Sequence, residues 1–413
     1  VTCGQRHVAL PQLHFDVRSR VHTNEWWSVV KAFMTVTIEG EVSLMTQRSN
    51  SGSTSGRRTT RRAFLTGAGA ATLTALAGCS GGGDGGDGGD GGDGGDGDAG
   101  GATTDMADSS TGSTPTESSM ADSMTIFHAG SLAPPFGEAE PAFEDEYGVD
   151  VNREAKGSVA STQKITQQGR SADVLGVSDF RLIRNRILPD YGDWYAIFTT
   201  NSMSIQYRED SPGAGDISKD NWWEVLTRDD VTIGHSDPAV DPGGYRAVMT
   251  QQLGKEEFNG GRLYDESTYQ ALRDNSVVPT GTETNLEGQL ESGELDYVMY
   301  YQSISSTSGK PFIDLQQEVD LSQATSEYAE HYAKAEVETG SGTFTGAPIA
   351  YGVTVPSVAE APGRGAQWVE YFATDAGRSI LENQGLVPVD PVVVPASGED
   401  AVPDRVMDVA SAQ

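Results

Sequence analysis

Two serines sit at turns suited to holding an anion. Gly130-Ser131 follows the strand-like run Met124–His128, and Gly157-Ser158 follows the strand-like run Val149–Glu154. The serines lie 27 residues apart, each where a strand gives way to a helix. Such a turn offers free backbone N–H groups, the positive end of a helix dipole and a hydroxyl donor together. The chemistry this allows is capture of an oxyanion. Both serines could equally be helix N-caps and nothing more, and the residues alone leave both readings open. Motifs of turnover are missing. There is no G-x-S-x-G elbow, no phosphate loop ending in Gly-Lys-Ser/Thr and no H-E-x-x-H. The chain is therefore not expected to be an enzyme. Only Cys3 and Cys79 occur, so no disulfide framework exists, and the six histidines lack zinc spacing. No cofactor is expected. The lone His128 is expected in the core or the cleft wall, not as a ligand.

The elements that must position these turns begin at residue 123, where the composition shifts abruptly. Pro135–Tyr147, 160–168 and Phe180–Ile187 have helical patterns, and Ala172–Val177 reads as a third strand. Strand–helix alternation with short loops predicts an α/β fold built on mostly parallel sheets flanked by helices. Ligands of such sheets bind at the carboxyl ends of strands, beside helix N-termini. Further on, Asn201–Tyr207, Glu294–Tyr301 and Pro348–Val355 are strand-like. Helical stretches are expected at Asn221–Leu226, 246–253, 284–291, Gln367–Ala373 and Asp375–Gln384.

The formal net charge of the 413 residues is −32, unevenly placed. Nine basic and four acidic residues precede Ser80, which leaves 19 basic and 56 acidic residues after it. So acidic a region repels nucleic acid and anionic lipid. Its acids are spread along the chain, as on a protein adapted to high salt, where screening makes self-repulsion tolerable. Ahead of it, Thr60-Arg61-Arg62-Ala63-Phe64-Leu65-Thr66 resembles a twin-arginine export motif. A short apolar stretch then ends in Leu76-Ala77-Gly78-Cys79, a lipobox-like sequence. Residues 45–79 thus read as a lipoprotein signal peptide, with Cys79 the lipid-bearing residue. Residues 1–44 read as an over-extended N-terminus without a structural role. Residues 80–122 are Gly, Asp, Ser and Thr with almost no apolar residue, a composition that stays disordered. As a tether, this segment spans roughly 35 Å.

The segments HAGSL, GSVAS, SADVLGVSD, NSMSIQY, NWWEVL, SDPAVDPGGYR, SGELDYVMYYQS and GAPIAYGVTVP, taken in this order, resemble the archaeal WtpA/ModA-type tungstate/molybdate-binding proteins. The resemblance covers nearly all of 123–395. It implies a two-lobed type II periplasmic-binding-protein fold with the ligand between the lobes. Lobe 1 would comprise 123–205 and 355–413, and lobe 2 would comprise 206–354. It implies an extracellular, lipid-anchored, monomeric protein that hands its ligand to an ABC permease and ATPase. It also implies a site in which two carboxylates add to the four oxygens around the metal of the oxyanion. By motif match these are Asp241, just before Pro242-Gly243-Gly244-Tyr245-Arg246, and Glu283. Ser131 and Ser158 match hydroxyl and amide donors, and Tyr301 matches a tyrosine lining the site.

Carboxylates beside an anion make sense only if they face a metal able to expand its coordination, while N–H groups face the oxo groups. Sulfur and phosphorus cannot expand in that way, so the pair would select against sulfate and phosphate. Each carboxylate also has a plainer reading. Asp-Pro commonly starts a turn, and an acid favours the first turn of a helix. A charged insertion seen in many relatives is shortened here, so Glu283 is matched by its 18-residue spacing to Tyr301. Asp237 rivals Asp241 for the aspartate role. The adjacent Tyr300-Tyr301 pair leaves a ferric-binding protein of the same fold as an alternative, as well as a sulfate or phosphate binder.

Overall fold

The computed structural model describes residues 121–279 and 282–413. The export motif at Arg61-Arg62, the lipobox Cys79, the stretch 1–44 and the tether up to residue 120 lie outside the described residues. Strands β1 (Ser123–His128), β2 (Asp150–Ala155), β3 (Val174–Val177) and β4 (Ala196–Thr200) come first. They are followed by β5 (Met203–Tyr207), β6 (Ile233–Gly234), β7 (Ser276–Val277), β8 (Tyr297–Tyr301) and β9 (Phe312–Asp314). A hairpin, β10 (Glu336–Thr339) and β11 (Gly342–Thr345), precedes β12 (Ala350–Thr354), β13 (Val387–Val394) and β14 (Ala410–Ala412).

These strands build two sheets. The first has the order β14-β13-β4-β12-β3-β1-β2, and the second β7-β6-β8-β5-β9. The chain leaves the first sheet between Thr200 and Met203 and returns to it at Ala350. Both exchanges come a few residues earlier than the lobe boundaries expected at 205/206 and 354/355. The expectation of mostly parallel sheets needs correction, because both are mixed. β12 returns from the second sheet and runs antiparallel to β3 and β4, while β5 enters the second sheet antiparallel to β8 and β9. A strand arriving from the other lobe has no helix crossover behind it, so it is free to pair antiparallel.

The helix Ala133–Tyr147 shows how the sequence fixes an element. Pro134 and Pro135 fall in its first turn, where a missing N–H costs nothing. Gly148 ends it in the left-handed conformation at φ 61°. Phe136, Ala139 and Phe143 lie on one face and are fully buried. Phe136 packs on Phe372 at 4.9 Å, and Phe143 on Trp368 at 4.9 Å, both from the helix Pro362–Ala373. This packing locks the helix against the first sheet and so fixes the Ser131 turn at its start. His128 lies in the same core, edge-on to Phe136, and burial pushes its imidazole down to about 4.

Candidate functional site

The two serine turns do not behave as helix caps. Ser131 lies in a 3-10 turn, Gly130–Leu132, and Ser158 opens the helix Ser158–Thr166, yet neither side chain caps its own helix. Both are buried and turned to other partners. The Ser178 amide, at the end of β3, donates to Ser158 Oγ at 3.0 Å. The Tyr351 hydroxyl, from β12, donates to Ser131 Oγ at 2.9 Å. Three strands of the first sheet, β1, β2 and β3, thus lead into buried serines, and Tyr351 near the start of β12 holds one of them.

The second lobe brings carboxylates to the same place. The helix Pro242–Leu253 starts four residues earlier than its pattern suggests, which makes Asp241 its N-cap. The Gly243 amide donates to Asp241 Oδ1 at 3.0 Å, and the Glu283 amide donates to Asp241 Oδ2 at 3.1 Å. Glu283 begins the 3-10 turn Glu283–Asn285, ahead of the helix Leu286–Ser292. Its Oε1 accepts from the Ser131 amide of the other lobe at 3.0 Å. Its Oε2 is buried and has no hydrogen-bond partner among the described residues. The plain readings of both acids, as a turn starter and a first-turn acid, therefore hold alongside their convergence. Asp237 is only half-buried, and its Oδ1 accepts from the Ala239 amide at 2.8 Å. It shapes the turn and stands outside the cluster.

Tyr301 completes the group. Its hydroxyl accepts from Arg246 at 2.6 Å and donates to Ser178 Oγ at 3.2 Å. Burial raises the Tyr301 phenol well above its usual value, so it stays a neutral donor. Tyr300 points to the opposite face, as alternation on a strand requires. Its hydroxyl donates to Gln206, and its ring packs with Leu286 and Leu290. The adjacent tyrosines therefore do not converge on one ligand.

Beneath these residues lies a buried charge network. Arg246 donates to the Ser178 carbonyl at 2.8 Å and stands 3.7 Å from Asp179. Asp179 also pairs with Arg181 at 2.7 Å and accepts from the Tyr245 hydroxyl at 2.7 Å. Burial alone would raise the Asp179 carboxyl, but Arg181 and Arg246 outweigh it and hold the group well below the usual range. Asp241 moves the other way. Burial pushes its carboxyl well up, and the neighbouring Glu283 carboxylate adds to the push.

This shift has a stability consequence. A carboxyl whose folded value is raised contributes stability below its unfolded value of about 3.9, and that contribution is lost as pH rises through the folded value. We expect an Asp241→Asn protein, free of ligand, to match the native protein near pH 4. Above that pH the native protein should fall behind the variant. A gap of ~1 kcal/mol corresponds to about 1–2 °C in melting temperature for a folded part of this size. Melting curves across pH 4 to 8 measure it, and parallel curves would show that the carboxyl is not raised.

The lobes are shut in this structure. The Ala160 amide of lobe 1 donates to the Val240 carbonyl of lobe 2 at 3.2 Å. Gly157 lies so close to lobe 2 that a Cβ there would stand 2.3 Å from the Val240 oxygen and 2.9 Å from Asp241 Cβ. At the crossover, the buried Asn201 amide donates to Ser303 Oγ at 2.8 Å and to the Tyr351 hydroxyl at 3.0 Å. One residue at the crossover thus links both lobes to the serine whose amide bonds Glu283.

Sequence reasoning gave no role to Ser178, Arg246, Tyr351, Asn201 or Ser236, although all five lie in segments that carry the resemblance; Ser236 Oγ is buried and has no hydrogen-bond partner among the described residues. One signal was available. Ser178 ends β3 as Ser131 follows β1, at the carboxyl edge where ligands of such sheets bind.

The fold has two lobes, and the buried serines and carboxylates gather where they meet. Residues 124–387 match the family model for bacterial extracellular solute-binding proteins, and the chain belongs to that family. It is a transport protein of the ABC-importer type and an exported one. It is 38% identical over 279 residues to an uncharacterized solute-binding protein of Petrotoga mobilis, covering 65% of this chain and 84% of the relative. It is 36% identical over 287 residues to the molybdate/tungstate-binding protein WtpA of Pyrococcus abyssi, covering 62% of this chain and 82% of that protein. The WtpA of Thermococcus kodakarensis is 34% identical over 290 residues, covering 63% and 80%. Among solved structures, the sulfate-binding protein SubI of Mycobacterium tuberculosis aligns with a TM-score of 0.49 at 15% identity, covering 71% of this chain and 94% of SubI. The Azotobacter vinelandii periplasmic molybdate-binding protein aligns with a TM-score of 0.48 at 13% identity, covering 64% and 98%.

Proposed function

We propose that this protein captures tungstate or molybdate and delivers it to its importer. One observation carries the reading. Asp241 and Glu283 are buried together between the lobes, and Glu283 Oε2 has no partner among the described residues. Nature rarely leaves a carboxylate oxygen dry and unpaired. A sulfate or phosphate placed there would meet like charge in a low-dielectric site. A group 6 metal centre can accept the carboxylate oxygens as added ligands, so the same pair becomes attractive. Ser131, Ser158 and Tyr301 then serve the oxo groups as donors, with Arg246 offsetting part of the negative charge. The two relatives named for molybdate and tungstate support the same ligand class.

Calorimetric titration of the purified protein in molar salt, with tungstate, molybdate, sulfate and phosphate, tests this. Tight binding of the first two alone is expected. Equal binding of sulfate would assign the site to the serine turns and remove the role of the carboxylates.

In this reading the trap works as a monomer on the outer face of the cell membrane. Twin-arginine export through Arg61 and Arg62 is followed by cleavage and lipidation at Cys79, and the acidic 80–122 segment holds the lobes near the permease. Mass spectrometry of the cell-associated protein is expected to find an N-terminal peptide starting at a lipid-modified Cys79. Peptides from upstream of that residue in the mature protein would overturn it.

A further inference from the structure

A second basic feature lies outside the cleft. In a region with 56 acidic and 19 basic residues after position 79, three arginines fall within six positions, Arg181, Arg184 and Arg186. They line a cavity of about 280 Å³, closed on its far side by Thr343, Phe344 and Thr345 of the β10–β11 hairpin. The hairpin is anchored to lobe 2. Gln252, on the helix that Asp241 caps, bonds both the Glu336 carbonyl and the Glu336 amide, at 2.8 and 3.0 Å. Phe344 stacks on Tyr245 of the same helix at 4.3 Å. The arginines belong to lobe 1, directly after β3. The cavity therefore exists only where the two lobes meet. Two contacts already cross this seam. Arg181 donates to the Thr345 carbonyl at 2.8 Å, and Arg186 donates to the Ser341 carbonyl at 2.7 Å.

Asp179, from the charge network beneath the cleft, also lines this recess. Asp179 answers Arg181, and it is shared with Arg246 on its other side. Arg186 has no carboxylate within ion-pair distance among the described residues. It is half-buried, with its guanidinium over the Phe344 ring at 5.5 Å. A guanidinium binding one carbonyl leaves donors over, and its planar fork suits two oxygens of an oxyanion. Arg186 thus brings to the recess a guanidinium with no carboxylate within ion-pair distance among the described residues, and an anion seated there would supply one.

We propose that this recess is a second anion site, separate from the cleft, which takes a free tetrahedral dianion. The lobe seam makes the site, so its occupant bridges the lobes and favours their closed state. A membrane phosphate is a poor match, because the surrounding acidic surface repels an anionic bilayer.

Selenate is the probe, since its central atom does not take up carboxylate ligands as tungsten does. Titrations of the full-length protein are run at constant ionic strength set with sodium chloride. The native protein is expected to bind one selenate, and the Asp241→Asn variant to bind it with unchanged affinity. The double variant Arg184→Gln with Arg186→Gln should bind it at least tenfold more weakly, and the corresponding double lysine variant should recover part of the loss. If the glutamine variant fails to fold, Thr343→Glu serves instead. Thr343 is exposed on the hairpin, and a carboxylate there should abolish selenate binding. Unchanged affinity in a folded arginine variant or in Thr343→Glu would overturn the proposal. So would a changed selenate affinity in Asp241→Asn, in either direction, which would place selenate in the cleft, and so would the absence of any saturable selenate binding.

Discussion

Replacing Asp241 or Glu283 with alanine is expected to weaken tungstate binding on the order of 100-fold, or ~2.8 kcal/mol. The same change should leave sulfate binding unchanged or strengthen it. The opposite signs are the useful part. If the cleft held its ligand by charge alone, deleting a buried negative charge would help every anion. Only a ligand whose centre accepts the carboxylate oxygens loses by the deletion. Asp241 is a strict case, because both its oxygens already accept amides, from Gly243 and Glu283. An alanine there also releases the Glu283 turn, so the Glu283→Ala variant gives the cleaner reading of ligation. Calorimetry on both variants, with tungstate and sulfate in parallel, makes the measurement. Equal losses for both anions would mean that the carboxylates only shape the cleft.

Gly157→Ala is expected to weaken binding of the same ligand by roughly 10- to 100-fold through closure alone. Gly157 has φ −55°, so alanine is not strained by the backbone. Its Cβ would collide with the Val240 carbonyl at 2.3 Å and with Asp241 Cβ at 2.9 Å, both in the other lobe. These are backbone and inner side-chain atoms with no room to swing away. The three nearest atoms all belong to lobe 2, so opening the lobes should relieve the clash. The ligand-free melting temperature should therefore stay close to native while affinity falls. Small-angle scattering should show that ligand compacts the native protein and fails to compact the variant. Full affinity in Gly157→Ala would mean that the lobes need not approach as closely as they do here.

The sequence held much of this already. The strand–turn–helix alternation from residue 123 onward came from hydrophobic pattern and turn residues, and those local signals survive packing. Tyr300 and Tyr301 had to face opposite ways because the strand period is two. The Ser131 and Ser158 turns were visible as Gly-Ser after a strand. Their cap reading was wrong for a nonlocal reason. Tyr351 and Ser178, at 220 and 20 residues' distance, take the hydroxyls that a cap would use. The mixed sheets were also out of reach, because strand direction depends on which lobe a strand comes from, and pattern does not record that.

By itself, the sequence determined which residue types were on offer: two serine turns, an Asp-Pro turn starter, a glutamate 18 residues before Tyr301 and an acidic composition. Tertiary structure decided what they became. It put the Glu283 carboxylate on the amide of Ser131, 152 residues away, and set Asp241 rather than Asp237 beside it. It placed Arg246 under Tyr301, and closed the β10–β11 hairpin over Arg181 and Arg186. Local preference acts over a few residues, whereas burial and charge pairing act wherever the chain returns. A site built across two lobes is therefore written in the fold more than in any one segment.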